Sequence, residues 1–276
     1  MISIKNLSFS YGNNAVLENI SMTLQSGRIY GLLGENGVGK TTLLTLLSGL
    51  KKTNGGSIDI DGATPFERKP SFLDKIYYLP DDVEAPAITA EKYARQYGSF
   101  WSNFDFKKFT ALMSLFEMNI NRKMNSMSTG ELKKTHISFA LSLGVKYLFL
   151  DEPTNGLDIP SKASFRKAVM SFTAEDSTLV ISTHQVKDLE NIIDPIIILD
   201  NNSVLLNASL EEISGKLYFD YSLTESPSEN CLYSETLPSG TIRVLLNPTG
   251  EESKVNIEAL FNACHANKQL VKSLFE

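Results

Sequence analysis

The hydrophobic pattern along the chain alternates between the period of a β-strand and that of an α-helix. Residues 2–9 alternate apolar and polar side chains, which is the strand period. A short apolar run over residues 28–33 ends at a glycine, as a buried strand does, and the leucines of residues 41–50 recur at helical spacing. This order of strand, glycine-containing loop and helix predicts the opening of an α/β fold that binds nucleotides.

A helical section interrupts the α/β pattern. Between about residues 85 and 140, apolar and aromatic side chains recur at helical spacing, and no strand pattern appears before about residue 144. We therefore expect an all-helical insert in an α/β domain. The elements expected around and within it are a β-hairpin at 55–62, a strand at 75–79, helices at 89–100 and 105–118, a strand at 146–150, a helix at 161–172, and strands at 178–182, 196–199 and 204–206.

The composition changes again after residue 216. Residues 222–240 are rich in Ser, Glu and Pro, which predicts a loop. A strand is expected at 241–246 and a mostly helical segment at 255–275. The pattern thus predicts a main domain of residues 1–215 and a small C-terminal α+β unit of residues 216–276.

Composition narrows the class of protein. The 276 residues are 42% hydrophobic, which is enough to bury a large core and excludes a disordered chain. The formal net charge of -6 argues against a broad basic surface, so we expect no nucleic-acid partner. Two cysteines form neither a disulfide framework nor a zinc ligand set and favour a reducing, cytoplasmic location. No stretch approaches the roughly 20 apolar residues of a membrane span, and no signal peptide precedes the first strand.

Residues 34–41 match the phosphate-binding pattern G-x-x-x-x-G-K-[ST]. Such a loop surrounds phosphate oxygens with backbone N–H groups, and a helix start adds its positive end. Lys40 is expected to reach the β- and γ-phosphates and the Thr41 hydroxyl to hold Mg²⁺. A chance match is the alternative, and the strand before and the helix after argue against it. The residues predicted to bind nucleotide here are Gly34, Glu35, Asn36, Gly37, Val38, Gly39, Lys40, Thr41 and Thr42.

Two carboxylates end the apolar strand that follows the helical insert. At the carboxyl end of a parallel strand, Asp151 and Glu152 would face the nucleotide crevice. Asp151 is expected to hold Mg²⁺ and Glu152 to polarise the attacking water. Taken alone, the pair could equally be a solvated acidic turn. The phosphate loop in the same chain favours the catalytic interpretation.

These motifs and three others resemble the nucleotide-binding subunits of ATP-binding cassette (ABC) transporters. Residues 151–158 (DEPTNGLD) are similar to the Walker B and D-loop segment, residues 182–184 (STH) to the switch histidine, and residues 125–131 (NSMSTGE) to the signature. The resemblance covers residues 1–215. It implies a P-loop NTPase of ABC type with an antiparallel β subdomain and a helical subdomain at about 85–140.

The resemblance also implies ATP and Mg²⁺ as ligands and a set of residue roles. Lys40, Glu152 and His184 would be catalytic, with His184 sensing the γ-phosphate. The signature of one subunit would cover the γ-phosphate bound to another, in a homodimer or heterodimer. The nucleotide contacts implied beyond the phosphate loop are Tyr11, stacked on adenine, and Ser128, Gly130 and Asp158. His136 and His265 lack any such context and are expected to be ordinary surface histidines.

Three positions depart from the family pattern, and one of them is Thr129, which replaces the first glycine of the signature. Glu131 replaces the signature glutamine and would place a negative charge near a phosphate, unless it turns back to cap its own helix with Ser128. Asp81 stands where the family has its Q-loop glutamine. An aspartate can bind Mg²⁺ directly or through water, so the predicted metal ligands are Thr41, Asp151 and Asp81.

The leading hypothesis is an ATPase subunit that powers a transporter through a separate integral membrane subunit. The helical insert would carry the groove that meets this subunit, and the chain would lie at the cytoplasmic face of the membrane. The relaxed signature and the tail resemble those of single-cassette bacterial exporters. Two alternatives stay open: a soluble ABC ATPase with a role such as iron–sulfur assembly, and a module that holds ATP without cleaving it.

Overall fold

The computed structural model describes residues 1–222, 230–238 and 240–275. Its strands and helices include the predicted ones in the predicted order, apart from the hairpin at 55–62 and the loop at 222–240, together with further elements at 70–73, 210–216, 217–222 and 231–237. They are β1 (Ile2–Tyr11), β2 (Asn14–Leu24), β3 (Ile29–Leu33), α1 (Lys40–Leu47), β4 (Gly55–Ile60), α2 (Pro70–Leu73), β5 (Ile76–Leu79), α3 (Ala90–Gly98), α4 (Phe106–Leu115), α5 (Thr129–Ser142), β6 (Tyr147–Asp151), α6 (Ile159–Phe172), β7 (Thr178–Thr183), β8 (Ile196–Asp200), β9 (Ser203–Ala208), α7 (Leu210–Lys216), β10 (Leu217–Ser222), β11 (Cys231–Leu237), β12 (Gly240–Leu246), α8 (Ile257–Ala266) and α9 (Lys268–Phe275).

A six-stranded sheet forms the centre of the molecule, in the order β5-β6-β7-β3-β8-β9. Its first five strands are parallel and β9 pairs antiparallel to β8. Strands β6, β7 and β8 are buried at every residue, as expected for short apolar runs covered on both faces. The register pairs Leu33 with Thr183 and Asp151 with Ser182, so the carboxyl ends of β3, β6 and β7 lie side by side.

A three-stranded antiparallel sheet, in the order β2-β1-β4, packs over α1 and one face of the central sheet. The hairpin predicted at 55–62 is wrong, because β4 is a single strand that pairs with β1 instead of with a neighbour in sequence. The turn after it closes only one bridge, between Ile60 and Ala63. The Gly and Asp residues that suggested a hairpin instead mark the two ends of β4.

The helical insert contains α3, α4 and α5, as predicted. Each begins at a capping side chain that accepts a hydrogen bond from its own first turn: Thr89, Asp105 and Ser128. Phe109, Leu112 and Met113 of α4 are fully buried in its core. Most of its aromatic rings belong to the same core, since Trp101 and Phe104 both contact Phe139. Phe100 does not, and 74% of it is exposed.

The C-terminal unit consists of an antiparallel sheet, β10-β12-β11, with α8 against β11 and β12 and α9 against β9. The loop predicted over 222–240 is wrong at β11, and its residues 223–229 and 239 lie outside the described residues. The predicted helical segment forms two helices that meet at Asn267. One apolar core continues from the helical insert through the central sheet into this unit. The division into residues 1–215 and 216–276 stays a prediction. Within the described ranges, no helix has the length and hydropathy that a membrane crossing needs.

Candidate nucleotide-hydrolysis site

The phosphate loop joins β3 to α1 with little free space behind it. A Cβ added at Gly34 would lie 2.6 Å from Val38 Cγ1 and 2.8 Å from the carbonyl oxygen of Leu199. Gly39, just before α1, has a φ of 110°, which disfavours any other residue. The start of α1 has no side-chain cap. Its first N–H groups can therefore donate to an anion, and they suit a phosphate chain.

Lys40 folds back over this loop. Its side chain is 7% exposed, and its Nζ donates to the carbonyl oxygens of Gly34, at 2.8 Å, and Glu35, at 3.1 Å. The same nitrogen lies 3.5 Å from Glu152 Oε1. The loop thus holds the ammonium group beside the Glu152 carboxylate, where its charge can offset the negative charge of a phosphate.

Asp151 accepts hydroxyl hydrogen bonds from three elements. Thr41 Oγ1 donates to Oδ2 at 2.6 Å, Tyr78 Oη donates to the same oxygen at 3.1 Å, and Ser182 Oγ donates to Oδ1. Burial raises the pKa of Tyr78, and the charge of Asp151 and their hydrogen bond raise it further. The Thr41 hydroxyl and the buried Asp151 carboxylate are hard oxygen donors, so this pair fits a Mg²⁺ ion.

Glu152 follows β6 in a left-handed conformation, with a φ of 45°. Its N–H donates to the side chain of Ser182 at 2.9 Å, and His184 Nδ1 lies 2.9 Å from its Oε2. Its other carboxylate oxygen, Oε1, is buried and has no hydrogen-bond partner in residues 1–222, 230–238 and 240–275. A buried carboxylate oxygen that faces a lysine ammonium but accepts no hydrogen bond is free to accept one from a water molecule, and with it the proton.

Tyr11 ends β1 beside the phosphate loop. Its hydroxyl lies 3.4 Å from Thr42 Oγ1, and the Nζ of Lys51 lies 4.8 Å from the ring centroid. The edge of the ring contacts Phe9, while 48% of Tyr11 remains exposed. An exposed ring at this position can stack on a purine, as the sequence predicts.

Comparison with known proteins identifies the family. A family model described as "ABC transporter" matches residues 17–155. The chain belongs to the ABC transporter family. It is 27% identical over 262 residues to the ABC transporter ATP-binding protein YtrB of Bacillus subtilis, covering 92% of this chain and 89% of that protein. It is 31% identical to the lantibiotic transport ATP-binding protein SrtF of Streptococcus pyogenes, covering 75% and 90% respectively.

The fold agrees with this assignment. A solved structure, described as the ATP-binding subunit of an ABC transporter, superposes with a TM-score of 0.70 at 24% identity and covers 77% of this chain and 91% of its own. The chain is therefore an ABC ATP-binding subunit, and as a member of this family it is an ATPase. The expected α/β cassette with its antiparallel and helical subdomains is confirmed.

The ABC signature lies at the start of α5, on the surface. Ser128 and Glu131 form a reciprocal cap, with the Ser128 N–H donating to Glu131 Oε2 at 2.8 Å. This bond is the main cause of the lowered pKa of Glu131, whose other oxygen pairs with Arg122. Glu131 thus turns back onto its own helix, the one arrangement in which its charge would not oppose a phosphate. Ser128 and Thr129 remain exposed.

Asp158 and Asp81, the two remaining predicted site residues, form contacts with other parts of the chain. Asp158 caps α6, accepting from the N–H of Ser161 at 2.9 Å, which contributes to its lowered pKa. Asp81 pairs with Lys133 Nζ at 2.9 Å and lies 3.4 Å from Asn155 Nδ2. The structure thus brings together Lys40, Thr41, Asp151, Glu152 and His184, with Tyr11 near Thr42 and Asp81 at an adjoining junction.

Sequence reasoning missed three contributors to this site: Tyr78, Ser182 and Lys133. Ser182 stands in the quoted Ser-Thr-His segment, where its position before the switch histidine was a usable signal. Tyr78 and Lys133 carry no local motif. Their partners lie 73 and 52 residues away, so only the folded chain reveals them.

Proposed function

We propose that this chain is the ATP-hydrolysing subunit of a transporter whose substrate path lies in a separate integral membrane subunit. The observation that carries the proposal is the Glu152 carboxylate, held between Lys40 and His184 beside a phosphate loop. Transport is supported by the similarity to YtrB and SrtF, which are named as ATP-binding proteins of transporters. For the direction we propose export, on the resemblance of the relaxed signature and the tail to single-cassette exporter subunits.

In hydrolysis, Glu152 would accept the proton of the attacking water at Oε1, while His184 keeps the carboxylate oriented through Oε2. Lys40 and the N–H groups at the start of α1 would bind the phosphate oxygens. Thr41 and Asp151 would hold Mg²⁺, which neutralises phosphate charge when bound. Asp81 is the candidate for a further, water-mediated metal contact.

A second subunit, identical or related, would complete the site. Ser128 and Gly130 lie on the surface at the start of α5, available to a nucleotide bound to another chain. Asp158 is two residues after Gly156, and a Cβ added at Gly130 would lie 3.1 Å from the carbonyl oxygen of Gly156. The segment that leads to Asp158 is therefore a neighbour of the start of α5. Ile159, next to Asp158, is 84% exposed, which suits an interface more than a free surface.

The membrane subunit would dock in a groove between α2, β5 and the helical insert. This groove has a volume of about 510 Å³ and a largely apolar lining, with the exposed Phe100 ring at its edge. A cytoplasmic helix of the membrane subunit is the occupant we propose, which would hold the chain at the inner face of the membrane. The lining side chains are Ser48, Leu50, Arg68, Pro70, Leu73, Asp74, Ile76, Tyr77, Tyr78, Phe100 and Trp101.

Phe100→Asp tests this docking. A charge at the exposed edge of the groove would oppose burial against an apolar helix, while the buried insert core remains intact. Affinity purification from detergent-solubilised membranes should recover a multi-span protein with the wild-type chain and lose it with the variant. Met170→Asp is the matched control, because Met170 is also exposed, at 61%, but lies on α6 away from the groove.

Recovery of a soluble assembly complex instead of a membrane protein would contradict the transport proposal. It would favour the alternative of a soluble ABC ATPase. Equal recovery of the membrane protein with Phe100→Asp would show that the docking surface lies elsewhere.

A further inference from the structure

Lys133, Asp81 and Asn155 meet at one point next to the hydrolysis site, which we call the latch junction. Each residue comes from a different segment of the chain. Asp81 follows β5, Lys133 lies in the first turns of α5, and Asn155 is in the turn after β6. The Nζ of Lys133 donates to both the backbone carbonyl and the Oδ1 of Asp81, and Asn155 Nδ2 lies 3.4 Å from Asp81 Oδ2.

The Lys133 side chain is buried here while its partner is not. Only 3% of it is exposed, against 46% of the Asp81 side chain. Removing a lysine from water is costly, and the attraction to one carboxylate offsets little more than that cost. The pair therefore adds little net stability. Its two hydrogen bonds to the same residue fix the segment after β5 in one position on α5.

Asp81 and Lys133 each lie close in sequence to a residue implicated in ATP hydrolysis. Tyr78, three residues before Asp81, donates to the carboxylate of Asp151. Lys133 lies five residues after Ser128, within the same capped helix, so its position sets where the signature lies. Gly130 approaches the turn after β6 so closely that an added Cβ would lie 3.1 Å from the Gly156 oxygen.

We propose that Lys133 is a positioning residue for ATP hydrolysis, acting through Asp81 to fix the signature end of α5 relative to the Tyr78–Asp151 side of the site. Asp81 in this role serves as the anchor for a lysine of the signature helix. The latch would act on hydrolysis whether or not a membrane subunit occupies the groove.

A double-mutant cycle on the full chain tests this role. Lys133→Met removes the charge and leaves an apolar side chain of similar length, so the fold should survive with its Tm unchanged. Asp81→Asn removes the opposite charge, and the third variant combines both. Asp82→Asn is the matched control, since Asp82 is the neighbouring exposed carboxylate. The readouts are kcat, the Kd of ATP with Mg²⁺ and with EDTA, and the Mg²⁺ concentration at half-maximal rate.

We expect Lys133→Met to lower kcat about tenfold, because a small displacement of the groups around a reaction slows it even when the substituted residue does not touch the substrate. Both Kd values and the Mg²⁺ half-saturation should be unchanged. Asp82→Asn should match the wild type. The double variant should be no slower than the slower single variant, because the two residues act as one unit. Asp81→Asn leaves the buried Lys133 ammonium without a negative charge beside it. If this variant fails to fold for that reason, the kcat of Lys133→Met alone tests whether Lys133 has a positioning role.

Three results would overturn the proposal. One is a wild-type kcat for Lys133→Met. Another is a double variant whose loss equals the product of the two single losses, which means independent action. The last is a raised Mg²⁺ half-saturation in Asp81→Asn with none of these effects in Lys133→Met, which would place Asp81 at the metal and leave Lys133 without a role.

Discussion

Glu152 combines a left-handed backbone conformation, burial and close contacts with Lys40 and His184. Its φ of 45° is uncommon outside glycine and is held by hydrogen bonds from its N–H to the side chain and backbone oxygen of Ser182. The conformation directs the carboxylate between Lys40 and His184. The left-handed backbone thus positions the Glu152 carboxylate, and Ser182 of the neighbouring strand β7 accepts the hydrogen bonds that maintain this conformation.

The expectation of a surface histidine at His136 is wrong, because this residue is 4% exposed and packs inside the helical insert. Its burial makes the stability of the fold depend on pH. The Nε2 of His136 lies 2.8 Å from the carbonyl oxygen of Glu84; burial is the main cause of its lowered pKa, and the charge of Lys133 lowers it further. Above the unfolded value of 6.5, the ring is neutral in both states. Below it the unfolded chain binds the proton first. Stability should therefore fall as the pH drops through this range, by up to about 1.4 kcal/mol per pH unit.

Urea unfolding at pH 7.5, 6.5 and 5.5 measures this term. His136→Gln keeps a hydrogen-bond donor for Glu84 but cannot titrate, so its unfolding free energy should fall less steeply than that of the wild type. Carboxyl groups with a lowered pKa, such as Asp74, titrate below this window and affect both proteins equally. Parallel pH profiles for the two proteins would exclude His136 as the source.

Single residues differ in how far the sequence reveals them. Gly34, Lys40 and Thr41 act within one short loop, so their spacing alone carries the information. Asp81 could be placed only by analogy, because its partner Lys133 lies 52 residues away. The fold brings such pairs together, and no local pattern records them.

At the scale of elements, the spacing of hydrophobic residues predicts the order of strands and helices. It does not predict which strands pair with one another. β4 lies far from β1 in sequence and pairs with it only because the whole antiparallel sheet covers α1. The sequence predicts a loop where β11 lies, because Ser, Glu and Pro dominate the composition of residues 222–240. The side chains of β11 nevertheless find partners in the fold, as when Asn262 of α8 donates to the hydroxyl of Tyr233.

The C-terminal unit is joined to the cassette by a buried charge at the end of β8. Asp200 is 7% exposed, and it faces Lys268 Nζ at 2.5 Å and His265 Nε2 at 3.5 Å. Asp200→Asn should lower the unfolding free energy by about 1–3 kcal/mol, because the Lys268 ammonium loses its anionic partner. It should also speed proteolysis within residues 230–275.

Thermal unfolding and limited trypsin digestion measure this effect. A Tm lowered by a few degrees is expected for a loss of this size. Glu211→Gln is the control, since Glu211 is an exposed carboxylate on the adjoining α7. Equal digestion rates and Tm values for both variants would show that the pair does not join the two units.

In the whole molecule, three different regions of the surface carry the hydrolysis site, the signature segment and the proposed docking groove. The carboxyl edge of the central sheet carries the phosphate loop and the Glu152 carboxylate, and the start of α5 carries the segment that resembles the signature. The groove beside the helical insert is the apolar surface that we propose for a partner. The latch junction lies where these three regions meet. Such an arrangement suits a subunit that couples ATP binding and hydrolysis to a conformational change in another protein.

The central claim is that this chain hydrolyses ATP with Glu152 as the base. The most direct measurement compares the wild type with Glu152→Gln for phosphate release and for ATP binding, with Glu175→Gln, an exposed carboxylate, as the control. Loss of the base should slow phosphate release at least about a hundredfold, while ATP binding persists through the unchanged phosphate loop. Phosphate release at the wild-type rate from Glu152→Gln, or no release from the wild type, would contradict the claim.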